Sequence, residues 1–377
     1  MAWKSRARRR AGRPTLVCAV IASLSVMTAG CAGFGGGGGG EVSADVSNTQ
    51  KALYEDAVDA GGELSVFVGT SSNSELDQLV ELFNEEFPGI NVSYVSGTGD
   101  EVSERVLTEK RSGLSNADVL MLAGMSAFER INDEGYIETF TPEDIELFTQ
   151  EESTYIPDAV YSFSDLVSGA CYNPDNVSKE EAALLKTYEG WTDPTWKGRA
   201  AVVNVDGFGY RFAMTEWVYG DKSMGKPWLE DLAALDPTVY NSGNVAVPQT
   251  IAGEYDVVYN VITGYGARAH TGGEPLECVT AEFAPYYTFG SALVTDAPNS
   301  AAGKVFINWL YSESGQAAVQ ETLAWSARRE GFDTPVSDAP WWQEPKDPRL
   351  VQEDVVEKNY DDLYETFNNV MGAAEEK

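Results

Sequence analysis

Hydrophobic positions follow two different periods along most of this chain. The run ELSVFVG, which begins at Glu63, alternates and is rich in β-branched residues, as in a strand. Residues 73–87 follow with apolar side chains at helical spacing, and Pro88 and Gly89 end that helix. The run INVSYVSG then predicts a second strand. A strand, a helix and a strand in this order predict two parallel strands, with a loop for ligands at the carboxyl end of the first.

The same alternation continues toward the carboxyl terminus. Further strands are predicted at ADVLMLAG, SGACYN, RAAVVNV, DVVYNVI and LECVTA. Further helices are predicted over residues 101–112, 126–134, 210–219, 228–235, 301–312, 314–323 and 352–371. Alternating strands and helices predict an α/β fold with helices on both faces of its sheets.

The amino terminus has the layout of a secretory signal peptide. Six basic residues precede the apolar run 16–27, which is shorter than the roughly 20 residues that span a bilayer. The junction T-A-G-C resembles a bacterial lipobox, although Thr28 stands where that motif usually has Leu. We therefore predict a signal peptide over 1–30 and lipidation of Cys31 at the cell membrane, with ordinary cleavage as the alternative.

Six consecutive glycines, Gly35 to Gly40, follow that cysteine. Glycine has no side chain to pack, so residues 31–61 are predicted to form a flexible tether. A phosphate-binding loop is excluded, because no strand precedes the glycines and no Lys-Ser/Thr pair follows them.

The net charge of the chain limits the kinds of partner that it can bind. The chain has 59 acidic and 26 basic residues, for a formal net charge of -33. Such a chain is repelled by nucleic acid and by anionic lipid headgroups. The composition therefore favours an exported binding or catalytic body over a nucleic-acid-binding protein.

Cysteine and histidine are scarce. Cys18 lies in the predicted signal peptide, which leaves Cys171 and Cys278 either as one disulfide or as two buried thiols. The single histidine, His270, and the absence of CxxC leave almost no material for zinc, and we predict no metal site and no cofactor. The sequence has no G-x-S-x-G elbow, so an extracellular hydrolase is the weaker alternative and we predict no enzyme.

Six segments in a fixed order carry a family resemblance. They read NEEFPGINVSYVSG, ADVLMLAG, SGACYNPDNV, DPTWKGRAAVVNVDG, GEYDVV and APNSAAGKVFINWLYSESGQ. Over residues 62–340 this order resembles the extracellular solute-binding proteins of ABC importers, and within them the subgroup that binds ferric iron, thiamine, phosphonates or polyamines. The resemblance implies a monomeric protein that delivers a small-molecule solute to membrane permease subunits.

The resemblance also implies a fold, the periplasmic-binding-protein type II fold, with two α/β lobes joined by hinge strands. Lobe 1 would hold residues 62–170 and 279–377, and lobe 2 residues 171–278. The strand with ACYN would leave lobe 1 and the strand with ECVTA would return to it. These strands would lie side by side, which implies a Cys171–Cys278 disulfide across the hinge.

Ligand-binding candidates come from the predicted loops at the ends of strands. Hydroxyls, amides and backbone N–H groups there are the usual polar lining of such clefts, although Ser and Asn also cap helices at the same places. The candidates are Thr70, Ser71, Ser72, Gly97, Thr98, Gly99, Gly124, Met125, Tyr172, Asn173, Asp206, Gly209, Tyr210, Arg211, Asn241, Ser242, Asn260 and Tyr265.

The ligand is the least determined feature of the sequence. Ferric binders of this family have two adjacent tyrosines where this chain has Thr263 and Gly264, followed by the single Tyr265, and Fe³⁺ favours several anionic oxygens. The pair Tyr286-Tyr287 lies beyond the hinge strand and is interpreted as cleft wall. Arg211, near a predicted helix amino terminus, favours a small organic anion. Polyamine and ferric iron are the alternatives.

Overall fold

A computed structural model describes residues 46–70, 73–148, 154–220, 223–323, 326–327, 339, 341 and 345–372. The predicted signal peptide, Cys31, the glycine run and the candidates Ser71 and Ser72 lie outside the described residues. The α helices are α1 Asn48–Asp59, α2 Asn73–Glu86, α3 Gly99–Arg111, α4 Met125–Asp133, α5 Lys179–Leu184, α6 Tyr188–Trp191, α7 Phe208–Tyr219, α8 Gly225–Ala233, α9 Gly243–Ile251, α10 Gly264–Gly272, α11 Ser300–Tyr311, α12 Glu313–Leu323 and α13 Glu353–Met371.

The strands fall in two groups that share one long member. They are β1 Glu63–Val68, β2 Asn91–Ser96, β3 Val119–Ala123, β4 Ile137–Glu138, β5 Thr154–Ile156, β6 Val160–Tyr172, β7 Ala200–Val203, β8 Thr238–Tyr240, β9 Val257–Ile262, β10 Glu277–Val279, β11 Ala284–Val294, β12 Ser326–Ala327 and β13 Pro348–Leu350. The main path through them is β2-β1-β3-β11-β6-β9-β7-β8.

Each half of this path is the sheet of one lobe. In lobe 1, β1 pairs in parallel with β2 and β3, and β11 is antiparallel to both β3 and β6. In lobe 2, β7 pairs in parallel with β8 and β9, and β9 is antiparallel to β6. The predicted α/β class and two-lobe architecture are confirmed.

Helices cover both faces of each sheet, as the alternating side chains of the strands require. In β1, Val66 packs with Phe83 and Phe306 on one face, while Phe67 packs with Phe128 on the other. In lobe 2, the even and odd residues of β7 enter two further clusters in the same way. Each lobe therefore has its own hydrophobic core, and Phe212 of α7 in lobe 2 packs with the lobe 1 cluster.

Strand β6 passes from one lobe to the other. Residues 160–167 pair with β11 of lobe 1, and residues 168–172 pair with β9 of lobe 2. Strand β10 returns beside it, with Cys278 directly opposite Cys171, and the two cysteines form a disulfide. The implied crossing strands and the disulfide between them are therefore present.

Glycine at position 169 lets these crossing strands lie close together. A Cβ atom at Gly169 would lie 2.3 Å from the carbonyl oxygen of Val279, on the segment that returns to lobe 1. The register of β6 against β9 also shifts between Gly169 and Ala170. The chain thus changes lobes at a bulge whose packing a side chain would disrupt.

The predicted tether extends too far toward the carboxyl end. Residues 48–59 form helix α1, which Ser47 caps by accepting a hydrogen bond from the Gln50 N–H. Tyr54 and Ala57 are buried in lobe 1, and the Gln50 side chain donates to the Val305 carbonyl oxygen at 2.8 Å. Apolar contacts therefore hold these residues on the body, and the flexible-coil prediction is wrong for them.

The carboxyl-terminal helix was assigned to lobe 1 from the sequence, but α13 packs on α7 and α8 of lobe 2. Its Leu363 and Phe367 are fully buried in a core cluster of that lobe. Asp362 of α13 accepts hydrogen bonds from Tyr219 of α7 and Lys226 of α8. Helix α13 therefore belongs with lobe 2 and not with lobe 1.

No helix within the described residues is both long and apolar enough to cross a membrane.

Candidate functional site

A cavity of about 250 Å³ lies between the two lobes. Both lobes and the strands that join them line it. The lining residues are Gly69, Thr70, Glu75, Gly97, Thr98, Gly99, Ala123, Leu166, Gly207, Gly209, Tyr210, Asn241, Ser242, Asn244, Ile262, Tyr265, Arg268, Tyr287, Phe289 and Leu323. This volume is below the usual range for drug-sized ligands, so it suits a small one.

The lobe 1 wall is built from the ends of parallel strands. Gly69 and Thr70 follow β1, and residues 97–99 follow β2. Thr98 caps α3 in a capping box with Glu101, in which each side chain accepts a hydrogen bond from the other residue's backbone N–H. A Cβ atom on Gly69 would lie 3.2 Å from the Gly99 Cα atom, so the two loops are in close contact.

The lobe 2 wall presents the amino termini of three helices. Gly207 is the N-cap of α7, Ser242 is the N-cap of α9, and Thr263 is the N-cap of α10. The first turns of these helices, all within described ranges, contain no acidic residue. Helix amino termini carry partial positive charge and backbone N–H donors, so this wall favours an anion.

An amide network holds Asn241 in this wall. Its Oδ1 atom accepts a hydrogen bond from Asn204 Nδ2 at 2.8 Å, and the same nitrogen donates to Asp206 at 2.7 Å. The Asn204 N–H in turn donates to the Tyr240 carbonyl oxygen at 2.8 Å. The residues behind the wall therefore fix the orientation of a polar side chain that lines the cavity.

Three tyrosines contribute phenol groups to the cavity. The Tyr210 hydroxyl accepts a hydrogen bond from the Gly243 N–H at 2.8 Å, and Tyr265 donates to Asn244 Oδ1 at 2.7 Å. A Cβ atom on Gly209 would lie 2.0 Å from the Tyr287 hydroxyl, which places that ring directly against the start of α7. Burial raises the pKa of all three phenols, and the neighbouring Tyr210 raises that of Tyr265 further.

These pKa shifts predict that the cavity phenols stay neutral until the protein unfolds in alkali. A tyrosine whose folded-state pKa lies above the unfolded value of about 10 contributes stability that is present below that pH and is lost as the pH rises. We expect wild type and Tyr287→Phe to show equal phenolate absorbance while folded, and to differ only once far-ultraviolet circular dichroism reports unfolding. A difference between them in the folded protein would contradict this expectation.

The formal charges of the cavity belong to two residues among those described. Arg268 on α10 donates from Nη1 to Oε1 of Glu75 on α2, at 2.8 Å. The guanidinium also lies over the Tyr265 ring, with its carbon 5.3 Å from the ring centroid. The pair joins lobe 2 to lobe 1 across the cleft and places one cation in the cavity.

The comparison with protein families decides what kind of cleft this is. A family model described as bacterial extracellular solute-binding protein matches residues 69–317, which include both walls of the cavity. The chain belongs to this family. The segments that carried the resemblance lie mostly within the matched range, and the importer-associated binding function inferred from them is confirmed. The family is one of binding proteins, and the hydrolase alternative has no support.

Similar proteins show how close the likeness is. The chain is 26% identical to "Iron uptake protein A1" of Synechocystis over 272 residues, which cover 68% of this chain and 72% of that protein. It superposes with a TM-score of 0.64, at 16% identity, on the substrate binding protein of the ABC transporter from Agrobacterium tumefaciens, covering 83% of this chain and 96% of that one. The TM-score is 0.62, also at 16% identity, with the periplasmic binding protein AfuA from Actinobacillus pleuropneumoniae with exogenous fructose-6-phosphate bound, covering 83% and 99%. The last two likenesses show the type II fold.

The cleft of this family member contains about half of the candidates. Those that line it are Thr70, Gly97, Thr98, Gly99, Gly209, Tyr210, Asn241, Ser242 and Tyr265. Whether they bind a ligand stays a prediction. What they share is a position at the end of a strand or the start of a helix, which is the property by which the sequence selected them.

Other candidates have structural roles outside the cavity. Arg211 donates to the Asp206 carbonyl oxygen at 3.0 Å and lies over the Tyr360 ring of α13, so it faces away from the cleft. Tyr172 donates to Glu277, and Asn173 donates to the Thr250 and Ile251 carbonyl oxygens. Asn260 is fully buried and donates to the Val203 carbonyl oxygen, and Asp206 accepts from Asn204.

Gly124 and Met125 are also excluded from the cavity lining, for a different reason. The Glu353 carboxylate of α13 accepts hydrogen bonds from the N–H groups of Met125 and Ser126, at the amino terminus of α4. The N–H groups at this helix end are thus bound by the chain's own carboxylate. Local sequence pattern does not indicate that a residue 228 positions away reaches this helix end.

Several lining residues were not found from the sequence. They include Glu75, Asn244 and Arg268, which lie on α2, α9 and α10. Helices α9 and α10 were not predicted, because α9 contains Pro248 and α10 contains three glycines. Arginine in the short run GYGARAH, directly after a buried strand, is the signal that could have identified this part of the wall.

Proposed function

We propose that this protein captures a small organic anion in the interlobe cleft and delivers it to the permease of an ABC importer. The observation that carries the proposal is the convergence of three helix amino termini without acidic first-turn residues on one cavity. The cavity contains one carboxylate, Glu75, and it is paired with Arg268. The lobe 2 wall otherwise faces the partial positive charge of the helix amino termini, although two N–H groups of α9 donate to side chains of the protein itself.

Arg268 supplies the full positive charge of the proposed site. A guanidinium has five N–H donors, and one of them is used on Glu75. The remaining donors can engage a carboxylate, phosphate or phosphonate, which arginine binds bidentately. The backbone and hydroxyl groups of Gly97, Thr98 and Ser242 complete a lining that suits an oxygen-rich ligand.

Ferric iron is the second candidate ligand. The observation that favours it is the presence of three phenols, Tyr210, Tyr265 and Tyr287, in one cavity, since phenolate oxygens suit Fe³⁺. A relative whose name refers to iron uptake also supports ferric iron as the ligand. Against it, burial holds the phenol pKa values high, so each phenolate would have to form on binding. An anion that binds without deprotonating these groups is the simpler ligand.

The ligand class is tested by isothermal titration calorimetry and thermal shift. We expect phosphonates or sugar phosphates to bind and to raise the melting temperature, and Arg268→Gln to weaken binding by at least about tenfold through loss of a charge-assisted contact. Arg211→Gln is the matched control, because Arg211 faces α13. Tight binding of bare Fe³⁺ or spermidine, unaffected by Arg268→Gln, would refute the anion proposal.

We also propose that the protein is held at the membrane by lipid on Cys31 and acts as a monomer. The T-A-G-C junction and the glycine run support this, because a lipid anchor followed by a flexible segment leaves the lobes free to close. Mass spectrometry of the mature amino terminus measures the modification. An unmodified terminus at any other residue would contradict the anchor.

A further inference from the structure

A surface groove adjoins the cavity at the cleft mouth. It has a volume of about 930 Å³ and is lined in part by Val247, Pro248 and Ile251 of α9. Four residues line both the cavity and the groove, namely Glu75, Asn244, Tyr265 and Arg268. These shared residues therefore form the wall between the small inner space and the larger outer one.

Glu75 is the lobe 1 part of this wall, and the other shared residues belong to lobe 2. The bond between Glu75 and Arg268 is 2.8 Å long, and the side chains are 15% and 35% exposed. Stacking over Tyr265 fixes the plane of the guanidinium. Separation of the lobes must break this pair. The wall between the cavity and the groove is therefore intact only while the cleft is closed.

We propose that the Glu75–Arg268 pair is the gate of the ligand cavity and limits the ligand to compact oxyanions that fit wholly inside it. The proposal rests on the proposed function for the charge of the ligand. The guanidinium of Arg268 compensates the negative charge of Glu75, which would otherwise repel an anion. Arg268 also keeps further N–H donors for the ligand. An anion with a long substituent would have to pass between the two side chains and would lose this ion pair.

The gate is tested first without any ligand, by hydrogen exchange of cleft segments. We expect Glu75→Gln and Arg268→Gln each to raise amide exchange at residues 97–99, 207–210 and 241–244 by about fivefold, as loss of one part-buried ion pair predicts. The double exchange Glu75→Arg with Arg268→Glu should restore slow exchange. Glu134→Gln, which removes an ion pair inside lobe 1, is the control and should leave these segments unchanged.

Unchanged exchange in both single variants, or no recovery in the charge-reversed protein, would overturn the gate. A merely structural role for either side chain would not be rescued by reversing both charges. This arm uses no ligand, so its result is independent of whether the ligand class is correct.

The size limit is tested with alkylphosphonates from methyl to octyl by calorimetry. We expect wild type to lose affinity as the alkyl group outgrows the cavity, and Glu75→Gln to bind octylphosphonate at least about tenfold better relative to methylphosphonate than wild type does. Identical chain-length profiles in the two proteins would overturn the size limit. If neither protein binds any member, the anion class of the proposed function fails, and the exchange result alone decides the gate.

Discussion

Replacing Cys171 and Cys278 with alanine in one chain is expected to lower the free energy of unfolding by about 4 to 5 kcal/mol. The disulfide closes a loop between cysteines 107 positions apart, and in the chain-entropy model the loss grows with loop length. Urea or guanidinium unfolding followed by circular dichroism measures the change. The expected loss is a large share of the 5 to 15 kcal/mol that stabilises an ordinary domain.

Reduced wild-type protein is the matched control for that variant. It keeps both sulfur atoms, so a similar loss on reduction assigns the effect to the crosslink and not to the volume removed from the core. Equal unfolding free energies for oxidised wild type, reduced wild type and the variant would show that the crosslink does not stabilise the fold. Because it joins β6 to β10 alongside the crossing point, we expect ligand-induced closure to survive in the oxidised protein.

Trp191→Ala is expected to destabilise the protein by about 3 to 5 kcal/mol, in the range of large-to-small core substitutions. Trp191 is fully buried in lobe 2, stacks on Tyr259 at 5.1 Å and meets Trp217 edge-on at 5.2 Å. Its Nε1 atom donates to the Leu185 carbonyl oxygen at 2.8 Å, so alanine would also leave that acceptor unpaired.

Two further substitutions separate the causes of that loss. Trp191→Phe keeps an aromatic ring but removes the indole donor, so it should fall between wild type and alanine. Leu114→Ala changes a side chain that is 55% exposed and should alter the free energy of unfolding by less than about 0.5 kcal/mol. A loss at Trp191→Ala no greater than at Leu114→Ala would contradict the packing described for lobe 2.

The sequence predicted the parts of the fold that local pattern controls. The strand, helix and strand over residues 63–96 form as expected, because their apolar spacing matches the period of each element. Strand β11 was missed although it is central to lobe 1, since all of its residues are buried and its apolar and polar residues do not alternate. Helix α13 was predicted with nearly its observed bounds but placed on the wrong lobe, because an amphipathic pattern does not identify the surface that it meets.

For the candidate site too, the sequence predicted what local pattern controls and missed what tertiary packing decides. Loop candidates such as Thr98 and Ser242 line the cavity because the ends of strands and the starts of helices are set by the fold class. Arg211 was selected from the sequence because it follows a glycine-rich turn, but its side chain packs on Tyr360, which is about 150 positions away in the sequence. Which of two arginines faces a cleft depends on tertiary packing, and sequence spacing carries no record of it.

The order in which the lobes obtain their residues bears on how the chain folds during synthesis. Lobe 1 needs β11 and α11, and lobe 2 needs Leu363 and Phe367 from α13, the last helix among the described residues. Neither core can be completed until almost the whole chain has left the ribosome. Since domains fold as units once their residues are available, the nascent protein should remain unfolded for most of its translation. That delay would keep it competent for threading through a translocation channel, which passes extended polypeptide more readily than a folded lobe.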